Sequence, residues 1–233
     1  MTAQHSTDPI VLPPLYRLHA LRTGDAFAEA CALAPREGAG TLVWTRRADR
    51  LDCAVVLEPE TPLADARRVA LVALSAVADA LAALGPPHKP VGFHWPDTLL
   101  VDGGTVGGVR FAHATAGEGE VPDWAVVGVT VRMSLDGDLG DKDRTALYEE
   151  GFGEVEVPHL VEAFARHFMA RLSDWAEEGF ARQSEEWMSR LAPAPGPKRS
   201  LDTTGDLLVF AGSKPERWSL AEALAAPGWT DAP

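Results

Sequence analysis

The stretch Phe93-His94-Trp95-Pro96-Asp97-Thr98-Leu99-Leu100-Val101-Asp102-Gly103-Gly104-Thr105-Val106-Gly107-Gly108-Val109 constrains this chain more than any other. Apolar residues run to a turn at Asp102-Gly103-Gly104, and a second apolar run returns from Val106 to about His113, a pattern that reads as a β-hairpin. Gly107-Gly108 lie inside the returning strand, where the missing side chains weaken packing. Such a pair marks either a bulge or a place where a ligand or another backbone approaches closely.

Around that hairpin the apolar periodicity predicts a helix over 24–34, strands over 41–45 and 52–57 joined by the charged turn Arg46 to Arg50, and a long helix over 62–84. Pro62 suits the first turn of that helix, and Gly85-Pro86-Pro87 stops it. It is apolar nearly all round, which places it against a sheet. A strand over 124–133 follows, then an acidic loop over 134–143. A helix over 158–177 carries Val161, Phe164, Phe168, Leu172 and Trp175 on one stripe, and a short helix carries Trp187. Residues 1–192 therefore read as one α+β domain built on a mostly antiparallel sheet covered by helices. Residues 193–233 read as a Pro-rich linker and a small appendage with one strand at 206–210 and a short helix near 220–225, too little for a core of its own and so expected to dock on the main domain.

Charge and composition exclude several classes. A formal net charge of −13 without a basic run argues against nucleic acid and anionic membranes as partners. Val69 to Leu84 is too short to span a bilayer, and the first residues lack the basic and apolar segments of a secretory signal, so a cytoplasmic protein is expected. Cys31 and Cys53 sit in apolar-periodic segments and read as free thiols rather than as a disulfide or metal ligands; no metal site is expected.

The hairpin resembles the signature of the biotin/lipoate protein ligase family: Lys-Trp-Pro-Asn-Asp, a short strand, an Asp-Gly turn, a lysine, then a Gly-Gly or Ala-Gly pair. The resemblance runs over roughly residues 20–191. Val126-Val127-Gly128-Val129-Thr130-Val131-Arg132 is similar to the family's following strand, and Thr145 to Gly151 to the segment before its last long helix. Glu178-Gly179-Phe180 is similar to the end of that helix, and Trp187-Met188-Ser189-Arg190-Leu191 to the family's Trp-x-x-x-Leu segment beyond it. The resemblance implies a class II synthetase-like fold, with Leu201 to Phe210 as a remnant of an SH3-like domain. It also implies ATP and Mg²⁺ acting with biotin, lipoate or octanoate, and a biotinyl or lipoyl carrier domain whose lysine receives the acid.

Against that family the chain departs at charged positions. The hairpin lysine is Thr105, the first lysine is His94, the Asn-Asp pair is Asp97-Thr98, the asparagine after the glycine strand is Arg132, and a short turn, Arg46 to Arg50, stands where a Gly/Arg-rich loop is expected. Joining two anions in an adenylation needs cationic donors, so these losses bear on activity. The catalytic candidates are His94, Arg132 and Asp97; the candidates for binding are Gly107, Gly108, Trp95, Thr105, Arg46, Arg47 and Gly128. Each has a plainer reading beside it: an interior histidine for His94, a structural cap for Asp97, a solvated turn for Arg46, Arg47 and Arg50, and a surface ion pair for Arg132. Arg110 and His113 read as a surface residue and a strand-end residue. Two functions stay open: a ligase or acyl transferase with altered residues, or an inactive relative that binds a small acid or a carrier domain.

Overall fold

The computed structural model describes residues 10–135 and 143–229; most of the expected acidic loop lies outside them. Among the described residues a seven-stranded sheet has the order β1-β2-β3-β7-β6-β5-β4. Its strands are β1 (Arg17–Leu21), β2 (Thr41–Thr45), β3 (Arg50–Leu57), β4 (Val91–His94), β5 (Thr98–Val101), β6 (Gly104–His113) and β7 (Ala125–Arg132). Every pairing is antiparallel except β1 with β2. The parallel pair is joined through α1 (Ala26–Glu37), a crossover that only a helix-length connection permits.

Strand parity sorts the side chains onto two unequal faces. Leu42 and Trp44, Cys53 and Val55, Val127 and Val129, and Val109 point toward α3 (Val69–Leu84) and α4 (Val157–Glu178) and form the main core. There Phe164 and Phe168 stack at 5.4 Å between ring centres. The opposite parity, Val43, Ala54, Val56 and Val126, meets Ala26, Ala30, Leu33 and Ala34 of α1. These small residues bring α1 close to the sheet, and Gly128 lies directly beneath the Phe27 ring. Cys53 is buried and Cys31 half-buried, and both are free thiols.

Three local expectations are corrected, and one strand, β1, was not expected. The helix over 62–84 divides into α2 (Leu63–Ala66) and α3, because the amides of Arg68, Ala70 and Leu71 bond back only three residues and tighten the turn. That break turns Arg67 toward Glu118 and lays Arg68 over the rings of Trp175 and Phe180. The apolar run from Phe93 to Val101 is not one strand: the chain reverses at 95–97, where Pro96 offers no N–H to a ladder, and β4 pairs back on β5. β1 carries too little apolar pattern to be read as a strand, being an exposed edge. The segment after Pro197 holds three strands, β8 (Lys198–Leu201), β9 (Leu207–Phe210) and β10 (Glu216–Trp218), rather than one.

That small sheet and α6 (Leu220–Leu224) contact the rest of the chain directly. Leu220 and Leu224 enter the main core, Trp95 Nε1 donates to the Gly205 carbonyl at 3.2 Å, and Arg68 Nη1 donates to the Thr203 carbonyl at 2.6 Å. On the far side, α5 (Phe180–Ser189) is tied to α3 and α4 through Asp79, whose carboxylate accepts from Arg171 at 2.7 Å and Arg190 at 2.6 Å. Burial alone would raise the Asp79 pKa, but the two guanidinium groups overcome that and hold it below the usual range.

Because the fully buried Phe164 couples the α3–α4 layer to the sheet, Phe164→Ala is expected to remove about 3–5 kcal/mol of unfolding free energy, read by chemical denaturation. A loss below ~1 kcal/mol would contradict the placement of the core.

Candidate functional site

On the second face of the sheet, β3 and β7 change character along their length. Ala54, Val56 and Val126 lie under α1, but further along the same face stand Asp52 and Arg50 on β3, and Thr130 and Arg132 on β7. α1 begins beside Asp52, whose carboxylate accepts from the Ala26 amide, and covers the sheet from there toward Val56 and Val126. The uncovered part of the sheet forms a cavity of about 280 Å³, lined by Gly24, Asp25, Arg47, Arg50, Asp52, Gly107, Arg110, Thr130, Arg132 and Trp229.

Four guanidinium groups thus meet two carboxylates in one cavity of a strongly acidic protein. Arg50 and Arg132 are direct cross-strand partners, an arrangement that like charges make unfavourable unless anions stand nearby. Asp49 supplies one, accepting from Arg47 Nε at 2.9 Å and Arg50 Nε at 3.2 Å. The hydrogen bond from Arg47 and the partners beside it hold the Asp49 pKa at about 2. Arg110 makes a two-pronged pair with Asp25, both contacts 2.8 Å, and lies over the Phe27 ring. Burial opposes ionisation of Asp25, yet Arg110 and the amides of Phe27 and Ala28 leave its pKa below normal. Asp52 accepts from the Ala26 amide at 3.3 Å, and burial raises its pKa. Arg132 Nη1 donates to the Thr105 carbonyl at 3.0 Å.

Gly107 is required here for a local reason. Its φ is +158° and a Cβ would run into the backbone of Thr130 and Val131 on β7. β6 therefore presses flat on β7 at the edge of the cavity. Gly108 is covered differently: a Cβ there would collide with the Trp229 ring and the Asp97 carbonyl. The Trp229 indole is almost wholly buried and its Nε1 donates to the Val109 carbonyl at 3.0 Å. Asp97, also buried, accepts from Thr98 Oγ1 at 3.0 Å and from the Gly228 amide at 3.3 Å. Desolvation pushes its pKa up to about 6.

The residues singled out from the sequence fall into three groups. Arg47, Arg132 and Gly107 line the cavity, and Gly108 and Asp97 lie beside it under Trp229 and Gly228. His94 is exposed at the end of β4 instead of interior, because the reversal at 95–97 turns it outward. Outside the lining are Arg46, which lies over the Trp44 ring, Trp95, which packs beside Trp218, and Thr105, whose backbone bridges to Asp143 and Thr145. Gly128 also lies away from it, serving the close approach of Phe27. Arg110 does point opposite to Val109 and Phe111, but that direction leads into the cavity and not to a plain surface. His113 stacks beside Phe111 on the other face. Asp25, Asp52, Thr130 and Trp229 were not candidates; shared strand parity of Arg50, Asp52, Arg110, Thr130 and Arg132 is the signal that reveals most of the set once the register is known.

Among the described residues no group of three or more His, Cys, Asp or Glu side chains is placed to hold a metal ion. The two cavity carboxylates are already engaged, Asp25 by Arg110 and Asp52 by the Ala26 amide, and do not fit a divalent cation as they stand. The guanidinium set fits an anion. No described helix is long and apolar enough to cross a membrane.

Comparison with known proteins agrees with this architecture. Residues 12–189 match the model of the biotin/lipoate A/B protein ligase family. A biotin protein ligase-like protein of unknown function from a Silicibacter species is 31% identical, with a TM-score of 0.84 over 92% of this chain and 98% of that one. A biotin--[acetyl-CoA-carboxylase] ligase from Paracoccus denitrificans is 27% identical, covering 73% of this chain and 79% of the relative. The fold is also shared with biotin protein ligase from Aquifex aeolicus, at 17% identity and a TM-score of 0.72 over 87% of this chain and 95% of that one. That ligase has also been solved in complex with biotin and ATP.

The raised Asp97 pKa sets a sign for pH dependence. Folded Asp97 keeps its proton up to about pH 6, whereas the unfolded group releases it near 3.8, so this group's contribution to stability falls as pH rises through that window. Asp97→Asn lacks that component. The unfolding free energy of the variant relative to the parent is expected to rise by about 2–3 kcal/mol between pH 4 and 7, measured by urea denaturation; a difference flat with pH would contradict the burial of Asp97.

Proposed function

The chain belongs to the biotin/lipoate A/B protein ligase family, and from that premise we propose that it binds a small carboxylic acid of the biotin, lipoate or octanoate kind through its carboxylate, in the cavity between the 46–50 turn, β6 and β7. Arg50, Arg110 and Arg132 act there as the charge-neutralising donors, with Arg47 at the rim. The observation that carries the reading is the gathering of Arg47, Arg50, Arg110 and Arg132 in the lining of one cavity. A bound carboxylate there accepts charge-assisted hydrogen bonds in the fork geometry guanidinium offers.

The step from bound acid to acyl-adenylate asks for more. The acid's carboxylate must attack the α-phosphate of ATP, and donors must neutralise charge that develops as pyrophosphate leaves. The family's hairpin lysine is Thr105 in this chain, and the cavity lies just below the usual size range of ligand sites. We infer slow or absent adenylation, with the protein holding the acid for a carrier domain or a partner enzyme. A second reading, an active ligase in which arginines replace the lysines and the acid is passed to a carrier-protein lysine, is favoured by the number of guanidinium groups gathered at one place.

Titration calorimetry with biotin, lipoate and octanoate tests the first reading. Arg132→Gln and Arg50→Gln are each expected to weaken acid binding by about 10–100-fold, the range a lost hydrogen bond to a charged group spans. Unchanged affinity in both variants would refute the assignment. Acid-dependent pyrophosphate release separates the two readings: little or none in the parent, with a gain in Thr105→Lys, supports the acid-binding form, and robust release by the parent supports the ligase.

A further inference from the structure

The Trp229 indole is placed as a bound ligand would be. It lies on the bare backbone of Gly108 in the middle of the sheet, and an added Cβ at that glycine would overlap it. The ring forms one wall of the arginine-lined cavity, so the space it fills and the cavity are one continuous trough. Its Nε1 satisfies the Val109 carbonyl at 3.0 Å. That acceptor needs a partner from outside the ladder: β5 pairs with β6 only as far as Thr98 opposite Gly108, and beyond it the strand edge faces the 95–97 turn. Left alone and buried, such a carbonyl is costly.

The segment that brings the indole in follows α6 directly. After α6 the backbone has no regular structure through Ala226-Pro227-Gly228-Trp229, and beside the indole the Gly228 N–H donates to Asp97 Oδ2 at 3.3 Å, next to Gly108. The anchor of this part of the chain lies earlier, in the buried Leu220 and Leu224 of α6. Release of 226–229 therefore leaves the docked helix in place.

We propose that Trp229 is a built-in occupant of the ligand trough, and that the acid enters by displacing the 226–229 segment. The indole marks what the displaced space receives: a flat apolar ring carrying an N–H donor at its edge, aimed at the Val109 carbonyl. The arginines receive the carboxylate at the other end, an assignment that rests on the acid-binding reading above. Trp229 then sets affinity by intramolecular competition, since the competition-free site is available only in the fraction of molecules with the segment released.

The test uses the full chain and Trp229→Ala, with biotin as an acid bearing a ring with N–H donors and pyrophosphate as an anion without a ring. Trp229→Ala is expected to bind biotin at least tenfold more tightly than the parent and pyrophosphate within twofold of it. In the unmodified chain, hydrogen exchange at Gly228 and Trp229 is expected to accelerate on saturation with biotin, a readout that does not depend on the folding of any variant. Biotin bound no better by a folded Trp229→Ala, or 226–229 staying protected in the biotin-saturated parent, overturns the proposal. The two readings part cleanly. Pyrophosphate bound by the parent without a biotin gain in the variant leaves the arginine site standing and removes the occupant. A biotin gain without pyrophosphate binding removes the arginine site and keeps the occupant.

Discussion

α1 is shorter than the face it covers, and the rest of the site depends on that mismatch. Twelve residues of helix extend about 18 Å, while the eight-residue strands β3 and β7 run about 27 Å. Where α1 lies, the sheet presents Ala54, Val56, Val126 and Gly128; where it ends, the same strands present Arg50, Asp52, Thr130 and Arg132. The N-terminal end of α1 marks the border, with Asp25 capping its first amides and pairing with Arg110 of β6. One carboxylate therefore fixes a helix start and orients a cavity arginine together.

The opposite face shows why the polar half is tolerated. Stability comes mainly from the α3–α4 layer, where a continuous apolar cluster includes fully buried Phe93, Phe164, Phe168 and Trp187. With the main core built on that side, the second face carries a smaller apolar cluster under α1 and the charged cavity beside it. Among the described residues α1 leaves that half of the sheet to a cluster of charged side chains, which apolar packing does not explain. The guanidinium groups gathered there offer an anion charge-assisted hydrogen bonds.

Much of this was legible in the sequence, and the illegible part has a physical cause. Long periodic elements such as α4 and the strand of β7 declare themselves, and the Gly107-Gly108 pair points to a close approach whose agents are β7 at one glycine and Trp229 at the other. The full cation cluster is not visible in the chain order, because the turn holding Arg47 and Arg50, Arg110 and Arg132 lie in three separate segments that meet only through the β3–β7–β6 register. A charge count along the sequence shows an acidic protein and hides the cluster. Tertiary choices also decided His94, Trp95 and Gly128: the reversal at 95–97 exposes the first and turns the second toward Gly205, and α1 claims the third. Trp229 stands far from every motif, and only folding brings it to Gly108.

The central claim is that the uncovered half of the sheet is a ligand site organised by arginines. Nuclear magnetic resonance of the guanidinium Nε–H groups tests it most directly, with biotin or octanoate titrated into the full chain. The account predicts saturable, concerted shifts of Arg50, Arg110 and Arg132, with the exposed Arg182 and Arg217 remaining where they were. Shifts confined to other arginines, or none at saturating acid, would contradict it.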